Sequence, residues 1–173
     1  MNLEETLNCA LDELDKYRQT YGSVDAIKTK PTPTDQDIKY AEKKLKISFP
    51  KSYILFLRQA GACPLIFDEV FWVGSEGETY RDIVRSKEEE KDEECFQDFL
   101  IPFYADGYGN YVCFDTREDK GGEYLIVFWD HELQLSEPSE DDLEVVANNF
   151  AAWFLEEVRY QINEDQHVGN DNE

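Results

Sequence analysis

At 173 residues the chain is sized for one domain and leaves little room for two. Hydrophobic residues make up 41% and aromatics 14%, enough to bury a proper core, which argues against a disordered chain. The charge is lopsided, with 17 basic against 39 acidic residues for a net −22, and this argues against direct binding to nucleic-acid phosphates or anionic membranes. A basic partner is favoured, whose encounter such a charge would speed at low salt, while a plain solubility surface is the alternative.

Residues 2–21 carry Leu3, Leu7, Ala10, Leu14, Tyr17 and Tyr21 at spacings of four and three. This predicts a helix with one apolar stripe, stopped at Gly22. The stripe is short for a coiled coil, so it is expected to pack on the domain, with a dimer seam as the alternative. TKPTPTDQD at 29–37 is a rigid connector. Thr34 followed by Asp37 resembles a capping box, which opens a helix through about Leu45. In ISFPKSYILFLRQAGA, Pro50 suits a first helical position, Tyr53, Ile54, Phe56, Leu57 and Ala60 supply a buried face, and Gly61 ends the helix.

From Pro64 the pattern changes. PLIFDEVFWVG is aromatic and β-branched and reads as a strand or a bent pair. TYRDIVRSKEEEKDEECFQD reads as helix or loop, its run at 87–94 forming mostly a solvated face. FLIPFYADGYGNYVCFD reads as a hairpin, with Asp106-Gly107 and Gly109-Asn110 supplying residues that tolerate positive φ. TREDKGG is the next turn and 123–129 the next strand. Ser139 with Asp142 is a further capping signal. Leu143, Val146, Ala147, Phe150, Phe154 and Val158 then lie at helical spacing through about Tyr160, with Trp153 beside them. The expected organisation is a leading helix over 1–22 packed on the domain, a body over 30–160, and a polar, fraying tail over 161–173. Helices, then an antiparallel meander, then a helix define an α+β fold: a single domain with a central antiparallel sheet flanked by helices.

The four cysteines, Cys9, Cys63, Cys95 and Cys113, form no C-x-x-C pair, so a zinc site is not expected. The acidic start lacks a signal-peptide apolar core and no window approaches a membrane span, so a soluble cytoplasmic protein with reduced thiols is expected. Of the two histidines, His167 lies in the polar tail, and His131 follows the strand with Asp130 and Glu132 beside it. A hydrolase using His131 as base would need a nucleophile in reach, and no Ser or Cys stands in a nucleophile-elbow context. GYGNY lacks the length and following helix of a phosphate-binding loop. Asp106, Asp115 and Asp130 could gather around a calcium or magnesium ion, but EF-hand spacing is absent. No metal, no cofactor and no enzymatic activity are expected. What remains is a surface of interleaved aromatics and acids around the meander's turns. The candidate partner-binding residues are Tyr104, Asp106, Tyr108, Asp115, Asp130, His131 and Glu132, which suit a Lys- and Arg-rich partner through packing, cation–π contacts and ion pairs. Trp129 is expected in the core.

Three pieces resemble the SUKH superfamily, which holds bacterial toxin-immunity proteins and fungal cell-wall-synthesis regulators. TDQDIKYAEKKLKISFPKSYILFLRQAGA at 34–62 is similar to its acidic helix, Phe-Pro step and Tyr-x-x-Phe-Leu helix ending at Gly. IPFYADGYGNYVCFD at 101–115 resembles its apolar strand, aspartate-glycine turn and returning strand, and EYLIVFWDHE at 123–132 its strand ending in Trp-Asp-His. The resemblance covers roughly residues 30–160, leaving the leading helix and the run 87–94 apart. It implies an α+β domain that binds rather than catalyses. The leading expectation is an immunity protein that neutralises a cognate toxin domain, a basic nuclease for instance, through an acidic surface. The alternative is a regulatory interaction module without a toxin. Direct nucleic-acid or membrane contact is not expected, and the protein would be a monomer or weak dimer.

Overall fold

The meander read from residues 99–129 is an antiparallel sheet with both faces buried. The computed structural model describes residues 1–21, 32–60, 65, 70–74, 82–90, 96–136 and 143–170. Strand β1 (Leu100–Ala105) pairs with β2 (Tyr111–Asp115), and β2 with β3 (Leu125–Trp129). A bulge between Pro102 and Tyr104 interrupts the first pairing, at a proline that has no N–H to give the ladder. A fourth strand, β4 (Glu144–Ala147), pairs antiparallel with β3, giving the order β1-β2-β3-β4.

That fourth strand corrects the sequence expectation. Residues 143–147 are not the start of a helix. The final helix begins at Phe150, where Asn149 caps it: the Asn149 side-chain oxygen accepts from the Ala152 N–H at 2.9 Å. The expected cap at Ser139 and Asp142 lies outside the described residues. So do residues 64 and 66–69 of PLIFDEVFWVG; of its described part, Phe71 donates its N–H to the Phe103 carbonyl at 2.7 Å and Trp72 bridges to Asp82.

The described helices are α1 (Leu3–Tyr21), α2 (Asp35–Leu45), α3 (Lys51–Ala60), α4 (Ile83–Glu90), the short α5 (His131–Ser136) and α6 (Phe150–Asn170). The Thr34–Asp37 capping box forms as expected. The Thr34 hydroxyl accepts from the Asp37 N–H, and the Asp37 carboxylate accepts from the Thr34 N–H at 2.8 Å. The stripe of α1 turns inward through Leu7, Ala10 and Leu14, chiefly onto α6. Around it Arg159 donates to Glu13 at 2.8 Å and the Tyr17 hydroxyl to Asp165. This last contact lies beyond residue 160, and α6 continues to Asn170 through the stretch expected to fray. No helix among the described residues is long and apolar enough to cross a membrane.

Strand alternation sorts the core into two layers. Phe103, Val112, Phe114 and Ile126 face the helices α1, α3 and α6, where Tyr53, Phe56, Phe150 and Phe154 complete the larger cluster. Leu100, Cys113, Val127 and Trp129 face the other way, onto Phe96. β3 is thus a central strand covered on both sides, which is why it carries five large apolar residues in a row. The turn that precedes β3 also closes α3. Lys51 donates its N–H to the Gly122 carbonyl at 3.0 Å, and the buried Glu123 carboxylate accepts from the Ser52 N–H at 2.9 Å and hydroxyl at 2.5 Å. These side-chain and carbonyl acceptors satisfy donors that a helix N-terminus leaves unpaired.

Candidate functional site

Antiparallel register decides which candidate residues meet. Ala105, Tyr111 and Trp129 are aligned at one end of the sheet, and Leu100, Asp115 and Leu125 at the other. Asp106, Tyr108, Asp130, His131 and Glu132 therefore share one end. Asp115 stands at the opposite end, four residues down β2, or ~14 Å away at about 3.4 Å per residue. Asp106, Asp115 and Asp130 do not gather into a cation site, and among the described residues no group of three His, Cys, Asp or Glu does.

At the shared end a chain of hydrogen bonds ties the hairpin tip to the end of β3. The Asp106 carboxylate accepts from the Tyr108 N–H at 2.8 Å, closing the turn, and from the Asn110 amide at 2.7 Å. The Asn110 side-chain oxygen in turn accepts from the His131 N–H at 3.1 Å and lies 2.8 Å from its Nδ1, the donor of that pair. Gly109, at φ +99°, lies under that ring, and a Cβ there would come 3.3 Å from Nδ1. Asp130 accepts from the N–H groups of Glu132 (2.9 Å) and Leu133 (3.2 Å), so it starts α5. Asp106, Asp130 and His131 thus build the rim, while Tyr108 (83% exposed), Glu132 and Leu133 present it to solvent.

The other two candidates are buried. The Tyr104 ring packs on Trp153 at 5.2 Å, and its hydroxyl accepts from Gln161 at 3.2 Å. Asp115 is held by Arg117, whose Nε and Nη2 donate to the carboxylate at 3.0 and 2.8 Å while its guanidinium covers Phe99. Trp129 lies in the second core layer as expected, tilted on Phe96. Tyr111 donates its hydroxyl to Glu90 at 2.6 Å. Burial, reinforced by that carboxylate, pushes its pKa up and keeps it a neutral donor. Of the acidic run 87–94, residues 91–94 lie outside the described residues; Glu88 and Glu89 are exposed as expected. Lys87 is half-buried over Phe96, its Nζ donating to the Gln97 carbonyl, and burial lowers its pKa.

Division of labour at the rim yields a prediction. Asp130→Lys removes a helix cap and is expected to lose about 1 kcal/mol of stability. Glu132→Lys should stay within about 0.5 kcal/mol of the parent. Thermal denaturation of both variants checks this, and equal losses would contradict the capping role of Asp130.

A feature missed in the sequence adjoins this end. A groove of about 530 Å³ runs between α6 and the sheet, from Asp106 and Asn110 past Phe128 to Val146 and Tyr160. Its described lining includes the carboxylates of Asp106, Glu156 and Glu157 and no Lys, Arg or His. Val146 and Tyr160 are 41% and 59% exposed there. Another groove, of about 550 Å³ beside α2 and α4, has mixed charge, with Lys44, Lys46 and Lys87 against Glu88 and Asp98.

An antiparallel sheet flanked by helices, both layers sealed by aromatics, defines a single α+β domain with one elaborated sheet end. The family model SUKH_5, described as SMI1-KNR4 cell-wall, matches residues 3–159, and the chain belongs to that family within the SUKH superfamily. The match takes in α1, which the motif resemblance alone left outside. No curated protein matches the chain. Family membership supports a protein-interaction role, as an immunity protein or an SMI1-KNR4-like module.

Proposed function

We propose that this chain is an immunity protein that binds and neutralises a cognate toxin domain, with the acidic sheet end and its adjoining groove against a basic surface of the toxin. The observation that carries this is the groove's lining: three carboxylates, no basic residue among those described, and exposed apolar side chains beside them. A nuclease's nucleic-acid groove is positively charged, so an acidic protein can occupy or flank it. Inhibition by occupation needs no chemistry from the inhibitor, and we read the protein as a non-enzyme. This role puts the protein in the cytoplasm with its thiols reduced.

The test is calorimetric titration with the C-terminal toxin domain encoded by the neighbouring gene. Nanomolar affinity, about −12 kcal/mol, with loss of the toxin's activity is expected. Raising salt from low to high should weaken the affinity at least about tenfold, since exposed charges are screened beyond a Debye length. Unchanged affinity would remove the electrostatic part. A regulatory interaction role is the second reading, favoured by the cell-wall description of the matching family. The lack of any toxin-like gene beside this one, or a folded neighbouring toxin that does not bind, would move it to first place.

A further inference from the structure

We infer that the groove between α6 and the sheet docks an extended, basic segment of the partner, with one aliphatic or aromatic side chain of that segment seated between Phe128, Val146 and Tyr160. This rests on the interaction role proposed above and assigns it a place and a partner chemistry. The groove has two parts of different character. Its wall is apolar: Phe128 is half-buried on the sheet face, Val146 projects from the edge strand β4, and Tyr160 lies on α6. Large apolar side chains exposed beside one another mark an interaction site more than a solvent face does. Its rim is anionic. Glu156 is exposed on α6, Glu157 accepts from Gln161 at 2.8 Å and from the Tyr104 hydroxyl at 3.3 Å, and Asp106 closes the far end. Those bonds fix the positions of Glu157 and Asp106, and Glu156 lies 3.8 Å from Arg159, which is itself held by Glu13.

Charge decides among occupants. A second copy would bring another net −22 to an anionic rim and is repelled. An uncharged apolar helix would cover three carboxylates, two of them half-buried, and take water from them without offering a donor in return. A segment with Lys or Arg flanking one apolar residue satisfies both parts, through ion pairs at the rim and an anchor in the wall.

The experiment uses the full chain, isotope-labelled, with two probes: the neighbouring toxin domain, and a synthetic extended peptide in which lysines flank a single phenylalanine. Both are titrated into the parent, Tyr160→Ala, Glu156→Lys and Glu118→Lys. Glu118 is an exposed acid in the turn at the opposite sheet end, so its reversal makes the same change in net charge away from the groove. Expected are shifts centred on Phe128, Val146 and Tyr160, at least tenfold weaker binding for the two groove variants, and less than twofold change for Glu118→Lys. Toxin binding that survives within twofold in both groove variants overturns the groove and leaves the immunity role standing. Peptide binding to the groove without toxin binding upholds the groove and overturns the immunity role. Equal weakening by Glu118→Lys and Glu156→Lys means diffuse attraction and overturns the groove. So does binding of neither probe, or self-association of the parent that Tyr160→Ala abolishes.

Discussion

Phe150→Ala is expected to lower stability by about 4 kcal/mol, within the range for truncating a buried aromatic. Phe150 is fully buried at the first residue of α6, with the rings of Tyr53, Phe56, Phe103, Phe114, Trp153 and Phe154 at centroid distances of 5.1–6.3 Å. It is the point where α3, α6 and the helix-facing side of the sheet meet. Truncation removes ring contacts from all three at once, and those neighbours belong to different elements, so the space cannot collapse by a single shift. The melting temperature should fall by roughly 10 °C, at 2–4 °C per kcal/mol for a chain of this size. Phe150→Leu keeps most of the volume and should recover more than half of the loss. Denaturant unfolding of both variants checks this; an alanine variant within about 1 kcal/mol of the parent would show that the site repacks.

Glu123→Ala is expected to cost about 3 kcal/mol, although it removes no apolar contact of comparable size. The Glu123 carboxylate accepts two hydrogen bonds from Ser52, which is fully buried in the first turn of α3. Without it, an N–H and a hydroxyl are left in a space closed to water, and the helix N-terminus loses an anion that its dipole favours. Glu123→Gln keeps one acceptor oxygen and should retain more than half of the stability. Equal losses in the two variants would mean that the charge, rather than the acceptor, holds the site. Losses under about 0.5 kcal/mol in both would show that Ser52 finds another partner.

What the sequence made legible is what depends on neighbours along the chain. The Thr34–Asp37 box, the α1 stripe and the apolar runs and turns of residues 100–129 are local patterns, and each took the expected form. β4 was hidden because Leu143, Val146, Ala147 and Phe150 satisfy helical spacing across a strand, a turn and a helix start. The available signals were the two adjacent valines and the Asn148-Asn149 pair before FAAWF. The length of α6 was hidden because its last turns are polar and are tied down by α1 through Tyr17 and Asp165. The candidate surface was legible as chemistry and not as geometry. Composition put Asp106, Asp115 and Asp130 in one group, and only strand register separates Asp115 from the other two. The groove joins residues from Tyr104 to Tyr160, which no local window brings together. Ser52 and Glu123, 71 positions apart, are a further pairing of this kind.

The packing of α1 on α6 also bears on how the chain reaches its fold. The strands form a local meander with short connections, so three of them can pair without waiting for distant segments. The two outer helices touch through residues as far apart as Tyr17 and Asp165, at a separation of 148 positions. Contacts of that span raise contact order and slow the last stage of folding. During vectorial synthesis, α1 emerges long before α6, its main packing surface. Its apolar stripe is made well before α6 exists to cover it, and acidic residues along the helix, Glu4 and Glu5 among them, favour solvation of the waiting segment.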